Sequence, residues 1–435
     1  MNRLRTELVD LLRLATPVVG TRLGIMAMGL TDTVVVGRHS TIELGYVALG
    51  WAPTAVVMTT GVGLLSGLQV LTARRIGEGR RQETGAVLRR GGVYAFWLGV
   101  IATLGLAALG PAFLRATGIE PGLAEGAGRV LVIFALSMVP ALVATACSTF
   151  LEALGRAAPA MWAMWGANAL NLALQLALVP SLGALGAAWG TLGARVALMV
   201  LLIAWIAKMG DARDLGLSSR PTGDRAAAAE QRRIGYAAGI AFFAETAAFS
   251  SMNIVAGWVG GLAVAGWAIV LNVAAIIFMV PLGLGAAASV LVARAHGADD
   301  RRGVARAGAV AFAVTLAFTA VVTAGVWWGA SFIAGLYTPD PALLGLVAGA
   351  LTLACLFFIA DGLQVVAAHA LRARGDVLVS TLVQIVSYAV VMLPLGWALA
   401  LPAGLGLDGI VLAVTAASFI AAGLLLGRFW VLAKR

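Results

Sequence analysis

The chain has 435 residues, of which 61% are hydrophobic and 11% charged, with a mean hydropathy of +0.97 and a formal net charge of +10. Soluble domains carry about 25% charged residues. The side chains needed to clothe a water-facing globule are therefore missing, and the composition describes a membrane-embedded protein.

In chain order, MNRLRTELVDLLR at 1–13 is a charged amphipathic lead-in without the pattern of a secretory signal. Apolar stretches of the roughly 17–25 residues that cross a bilayer follow. They predict twelve helices, near 14–36, 46–72, 91–111, 130–151, 160–180, 186–207, 234–257, 262–292, 305–330, 346–370, 378–400 and 408–431. The second and eighth are long enough to tilt or to extend beyond the bilayer. Pro53, Pro140 and Pro281 fall inside spans and predict kinks, because proline lacks a backbone donor. Cys147 and Cys355 lie in apolar runs and read as small buried hydrophobes rather than a disulfide.

Charge in the connections orients the helices. Of the 30 Lys and Arg residues, 25 lie before helix one, after helices two, four, six, eight and ten, or in the C-terminal tail. That group includes Arg3, Arg220, Arg372, Arg374 and Arg435, whereas Arg38, Arg115 and Arg129 lie on the opposite side and Arg22 and Arg195 within spans. Basic excess marks the cytoplasmic side. Both termini are thus expected on the cytoplasmic side of the membrane, and the pI near 10.7 reflects topology rather than nucleic-acid binding.

The chain also repeats itself. ARRIGEGRR at 73–81 aligns with ARAHGADDR at 293–301, an offset of 220 that also takes Arg13 to Arg233, Gly63 to Gly283, Pro121 to Pro341 and Gly155 to Gly375. Agreement at one spacing indicates duplication of a six-helix unit. Six spans per unit bring both copies into the membrane from the same side, the parallel-repeat arrangement. The expected organisation is an N-terminal six-helix bundle at 1–207, a cytoplasmic linker at 208–233 and a C-terminal six-helix bundle at 234–435. The fold class is all-α and polytopic, with twelve transmembrane helices in two bundles around a central cleft.

Three carboxylates interrupt the apolar spans: Asp32, Glu245 and Asp361. An ionisable group at membrane depth costs roughly 2.5–3.5 kcal/mol on insertion scales, so these acids are candidates for proton or cation binding. Glu245 and Asp361 belong to the first and fourth helices of the second unit. If they converge, a shared proton or a bound cation such as Na⁺ relieves their repulsion. Their counterparts at the 220 offset are Ile25 and Ala141, which confines the pair to one half. Asn168, Asn171 and Gln175 form a polar stripe on one helix face, able to serve Asp32, to line a wet pocket or to bond neighbouring helices. Asn253, Asn272, Gln364 and Gln384 are similar candidates in the second half, and Gln364 lies three residues after Asp361. Arg22 either snorkels to the interface or sets bundle polarity. No Cys/His cluster, nucleophile elbow or phosphate loop suggests an enzyme, and no cofactor is expected beyond the coupling ion, H⁺ or Na⁺.

Three segments carry a family resemblance: Thr31-Asp32 followed by VVVG, Glu245 within FFAETAAF, and ADGLQVVAAHALRARGD at 360–376. Through them nearly the whole chain resembles the multidrug and toxic compound extrusion family, especially its NorM-like bacterial branch. The resemblance implies two six-helix bundles around a cleft and export of cationic, often aromatic compounds in exchange for Na⁺ or H⁺. It makes Asp32 the first-bundle acid tied to proton coupling, and Glu245 with Asp361 the second-bundle cation site. Two positions depart from the family pattern. Phe357 stands where a tyrosine often precedes the second acid by four residues, and Gln175 stands where some branches carry an aspartate.

The function expected is secondary active antiport by alternating access, acting on cationic amphipathic small molecules in the lipid bilayer, as a monomer and without nucleic acid. The alternative is a flippase or exporter of a lipid-linked or polymer precursor. That role calls for basic residues in the cleft, for which Arg22 and Arg195 are the only intramembrane candidates.

Overall fold

The computed structural model describes residues 2–116, 119–218 and 224–434, with Asn2 and Arg3 described by backbone alone. Arg220, Arg435 and linker positions 219–223 lie outside the described residues. The first half contains α1 (Asn2–His39), α2 (Thr41–Gly77), α3 (Thr84–Ala116), α4 (Pro121–Leu136), α5 (Met138–Ala153), α6 (Ala158–Leu182) and α7 (Ala184–Ala207). The second half contains α8 (Arg225–Val259), α9 (Gly261–Gly297), α10 (Arg301–Tyr337), α11 (Pro341–Arg374), α12 (Val377–Ile385), α13 (Leu393–Ala400) and α14 (Gly406–Lys434). A π-helical segment, Val386–Met392, joins α12 to α13. No strand occurs among the described residues.

This is an all-α polytopic membrane protein. Counting α4 with α5 and α12 with α13 as single rods, eleven described helices have the length and apolarity to cross a bilayer. The remaining rod, α6, is 25 residues long and carries Asn168, Asn171 and Gln175 in its apolar run. Only a helix satisfies its own backbone donors and acceptors in hydrocarbon, which is why the long apolar runs take this form. Several helices exceed the predicted spans. The 37 residues of α2 or α9 rise about 55 Å at about 1.5 Å each, against about 30 Å of hydrocarbon. The charged flanks that end a hydropathy window simply continue the helix into the aqueous layer.

The duplication is visible in the helix ends. α2 and α9 begin and end 220 residues apart, as do α4–α5 and α11 within one residue. The first rod of the pair breaks at Ser137, while α11 is continuous. Pro140 accounts for the break, since its ring collides with the carbonyl of Leu136 and it offers no N–H. α2 and α9, by contrast, run unbroken through Pro53 and Pro281. In α13, Pro394 likewise cannot bond to Val390, and the wide π turns immediately precede it.

By contact the chain divides into Gly20–Gly239 and a unit comprising Met1–Val19 with Ile240–Arg435. The two divisions, 19/20 and 239/240, are themselves 220 residues apart, so α1 and α8 each begin in one unit and end in the other. Within the first unit, residues 208–218 form turns fastened to α3. Gly85 N–H donates to Leu215 O at 2.7 Å, and Arg89 donates to the carbonyls of Gly216 and Leu217. Arg156 meets Asp211 through two 2.8 Å contacts and holds that carboxyl below the usual carboxylate range. Residues 225–233, the end of the expected linker, open α8.

Glycine sets how closely α2 and the start of α8 approach. A Cβ at Gly67 would stand 2.0 Å from the Gln231 carbonyl oxygen, and one at Gly235 2.1 Å from that of Leu64. Large apolar side chains such as Trp97, Phe113, Trp328 and Phe332 are exposed on the unit surfaces, as a lipid-facing surface requires. Overpacking a tight contact costs about 1–3 kcal/mol. Gly235→Val should therefore lower the thermal midpoint of detergent-purified protein, whereas Gly92→Ala, whose Cβ meets nothing within 4 Å, should not. Equal midpoints for the two variants would contradict the close approach.

Candidate functional site

In the unit that contains most of the second half, α8 supplies Glu245 and α11 supplies Asp361, both buried. One side chain connects them. Gln364 Nε2 donates to Glu245 Oε1 and to Asp361 Oδ1, each at 3.2 Å. The amide thus spends its two N–H groups on two acids. Its own oxygen accepts from Gln384 Nε2 at 3.3 Å, and the Gln384 oxygen accepts from Arg372. Arginine has no acceptor, so Arg372 must face an amide oxygen. That one contact orients both glutamines, and a chain of donors runs from the guanidinium to the two carboxylates.

Asp361 Oδ1 accepts a further hydrogen bond, at 3.1 Å, from the hydroxyl of Tyr388, whose oxygen also lies 3.4 Å from Ser418 Oγ. Tyr388 is fully buried in the π-helical segment. Phe357, the residue at the family's tyrosine position, packs its ring 6.1 Å from that of Phe249, which in turn lies 5.7 Å from Tyr388. A hydroxyl therefore reaches the second acid from a different helix. Sequence reasoning missed Tyr388; its only signal was a lone tyrosine six residues before a proline in an apolar run.

Arg372 was counted among the cytoplasmic connections and requires correction. It is buried near the end of α11, its guanidinium 5.5 Å from the Phe242 ring centroid, and its charge acts on Glu245. Its neighbours in sequence are basic and mark a helix end, which hid its inward direction. Asn253 and Asn272 do not join the acids. Both are exposed, Asn253 donating to Ser250 O at 3.2 Å and Asn272 accepting from Tyr337 at 2.7 Å.

The Gly20–Gly239 unit has its own buried acid. Asp32 on α1 accepts from Asn171 at 3.2 Å and from Gln175, both on α6, and from Thr191 on α7 at 3.0–3.1 Å. An amide at position 175 donates to the carboxylate, where an aspartate would repel it. Asn168, although on the same stripe, turns to the carbonyls of Gly24 and Met164 and ties α6 to α1. Arg195 on α7 donates to Ser137 Oγ at 2.6 Å and lies 5.3 Å over the Trp51 ring.

A second acid in this unit also escaped the sequence reading. Glu152 on α5 is buried, 3.5 Å from Arg22, and accepts from Gln69 at 2.9 Å and Ser148 at 3.4 Å. It stands just before the Gly155-Arg156 turn, so hydropathy assigns it to an interface. Its 220-offset counterpart is Arg372, another charge that helix packing turns inward. Asp32, Arg22 and Arg195 line one cavity of about 50 Å³ with Trp51, Met58 and Met164. That is enough room for several waters at about 10–15 Å³ each.

A family model described as MatE matches the chain twice, over residues 17–176 and 237–398. Both matches begin at the same point of the repeat, 220 residues apart. A probable multidrug resistance protein NorM of Caulobacter vibrioides is 50% identical over 430 residues, covering 98% of this chain and 91% of that protein. The multidrug resistance protein PmpM of Pseudomonas aeruginosa is 32% identical, covering 92% and 85%. Among solved structures, a eukaryotic MATE transporter superposes with a TM-score of 0.91 at 19% identity, covering 99% of this chain and 96% of that one. A MOP superfamily transporter of Pyrococcus furiosus gives the same score and identity, covering 98% and 96%. With its duplicated helical units and two independent matches, the chain belongs to the MatE family.

Proposed function

We propose that this protein is a secondary active antiporter of the bacterial inner membrane, exporting cationic organic compounds in exchange for an inward-moving ion by alternating access. Glu245 and Asp361 are the coupling pair, and Asp32 is a separate proton-binding group. The observation that carries the assignment is the single Gln364 amide donating to both acids, which brings two carboxylates from different helices to one point.

The donor set favours H⁺ over Na⁺ as the coupling ion. An oriented amide N–H and a phenol face the pair, and a cation ligated there would meet N–H hydrogens where it needs oxygen lone pairs. Na⁺ would be left with Glu245 Oε2 and Asp361 Oδ2, the carboxylate oxygens at which these donors are not directed. Otherwise Gln364 would have to turn its carbonyl oxygen toward the acids, against the orientation that Gln384 and Arg372 impose. Linkage then supplies the exchange: if the ion weakens substrate binding, substrate weakens ion binding by the same factor.

The basic excess of the connections supports a cytoplasmic position for both termini, and a single copy carries both acid sites. The alternative, export of an anionic lipid-linked precursor, draws on Arg22 and Arg195, which do line the cavity of the Gly20–Gly239 unit. Glu152 is paired with Arg22, however, and Asp32 lines the same cavity as Arg195. The cavity is balanced in charge rather than cationic.

In proteoliposomes loaded with a fluorescent organic cation, an inward H⁺ gradient should drive efflux. Glu245→Gln and Asp361→Asn should each abolish that efflux while the protein remains folded. Gradient-driven transport at the parent rate in the double variant would end the assignment. Tyr388→Phe removes one hydrogen bond to a charged group, a change of about 1.5–3 kcal/mol. It should shift the apparent affinity for the coupling ion by at least tenfold with little change in maximal rate, as read from the dependence of efflux on the imposed gradient.

A further inference from the structure

The Arg22–Glu152 pair belongs to neither acid site, yet Arg22 forms part of the cavity wall while Glu152 does not. Glu152 stands behind the wall, buried, with the Arg22 guanidinium 3.5 Å away and hydrogen bonds from Gln69 and Ser148 directed at it. The charges near this cavity are Asp32 and Arg195 on one side and Arg22 with Glu152 on the other. With Asp32 ionised, their sum is zero while Glu152 carries its charge. Without it, two guanidinium groups would face the cavity against one carboxylate, in a setting where charges are weakly screened.

The repeat shows how this corner of the fold is used in the other half. Positions 22 and 152 correspond to Phe242 and Arg372, and there too the two side chains meet, as a guanidinium over a ring. In that half the arginine bonds to Gln384 and no acid stands at the equivalent place. The same juxtaposition therefore holds the guanidinium against a carboxylate in one unit and against a ring in the other, where its charge acts on Glu245.

We propose that Glu152 is a positioning residue for charge selection: by holding and neutralising Arg22, it keeps this wall of the Gly20–Gly239 unit from repelling an organic cation. This rests on the reading of the protein as a cation exporter. Glu152 touches no substrate and acts through the guanidinium it holds.

The test compares efflux of a permanently charged organic cation with efflux of an uncharged dye of similar size, both in proteoliposomes under one imposed H⁺ gradient. Glu152→Gln should raise the KM for the cation at least fivefold, leaving kcat and the KM for the neutral dye within twofold of the parent. The double variant Arg22→Gln/Glu152→Gln should bring the cation KM back to within twofold of the parent. Arg22→Gln alone should leave the cation KM at or below the parent value. A merely structural pair would instead raise both KM values or lower kcat in all three variants, and that result overturns the proposal. So does an unchanged cation KM in Glu152→Gln. Should that variant not fold, a raised cation KM in Arg22→Gln overturns the proposal from the other side, and an unraised one supports it together with the double variant. Failure of the parent itself to move the cation would count against the antiport reading, separately from the role of Glu152.

Discussion

The contact between Arg372 and Gln384 orders the buried acid pair, Glu245 and Asp361. A carboxylate in hydrocarbon is costly unless hydrogen-bond donors surround it, and two side by side are costlier. Here an arginine that can only donate fixes one glutamine, which fixes a second, whose two N–H groups meet both acids. Tyr388 adds a donor from the π turns that precede Pro394. Reverse either amide and the acids face carbonyl oxygens instead.

Duplication supplied two equivalent units, and the buried charges show how they diverged. The acid pair has apolar counterparts, Ile25 and Ala141, in the first half. Asp32 corresponds to Met252, packed in the apolar core of the second. At the 22/152 corner one unit carries an ion pair and the other a guanidinium over a ring. The helix framework is shared because lipid constrains every span alike. The polar interior is not, because each buried charge needs its own partners, and these were installed separately in each half.

Much of this was legible in the sequence. Composition and apolar run length predicted the helices, and the 220 offset predicted the repeat that both helix ends and family matches follow. Asp32, Glu245 and Asp361 stood out because each interrupts an apolar run. What escaped was set by direction rather than composition. Arg372 and Glu152 lie near helix ends where charges normally face water, yet packing turns both inward. Tyr388 resides in an ordinary apolar run of the sequence, and only the tertiary fold brings its hydroxyl to Asp361 from 27 residues away. Conversely, Asn253 and Asn272 resembled the other buried amides in sequence but occupy exposed helix faces. Helix lengths were underestimated because hydropathy detects the bilayer, not the end of the helix.

The central claim is that the Gln364-bridged pair gives up its ion when substrate binds. Calorimetry of an organic cation binding to detergent-purified protein, repeated in buffers of different ionisation enthalpy and with or without Na⁺, measures that exchange directly. The account predicts net proton release in the parent, absent from the Glu245→Gln/Asp361→Asn variant and insensitive to Na⁺. The same proton release in parent and variant, or none in either, would contradict it.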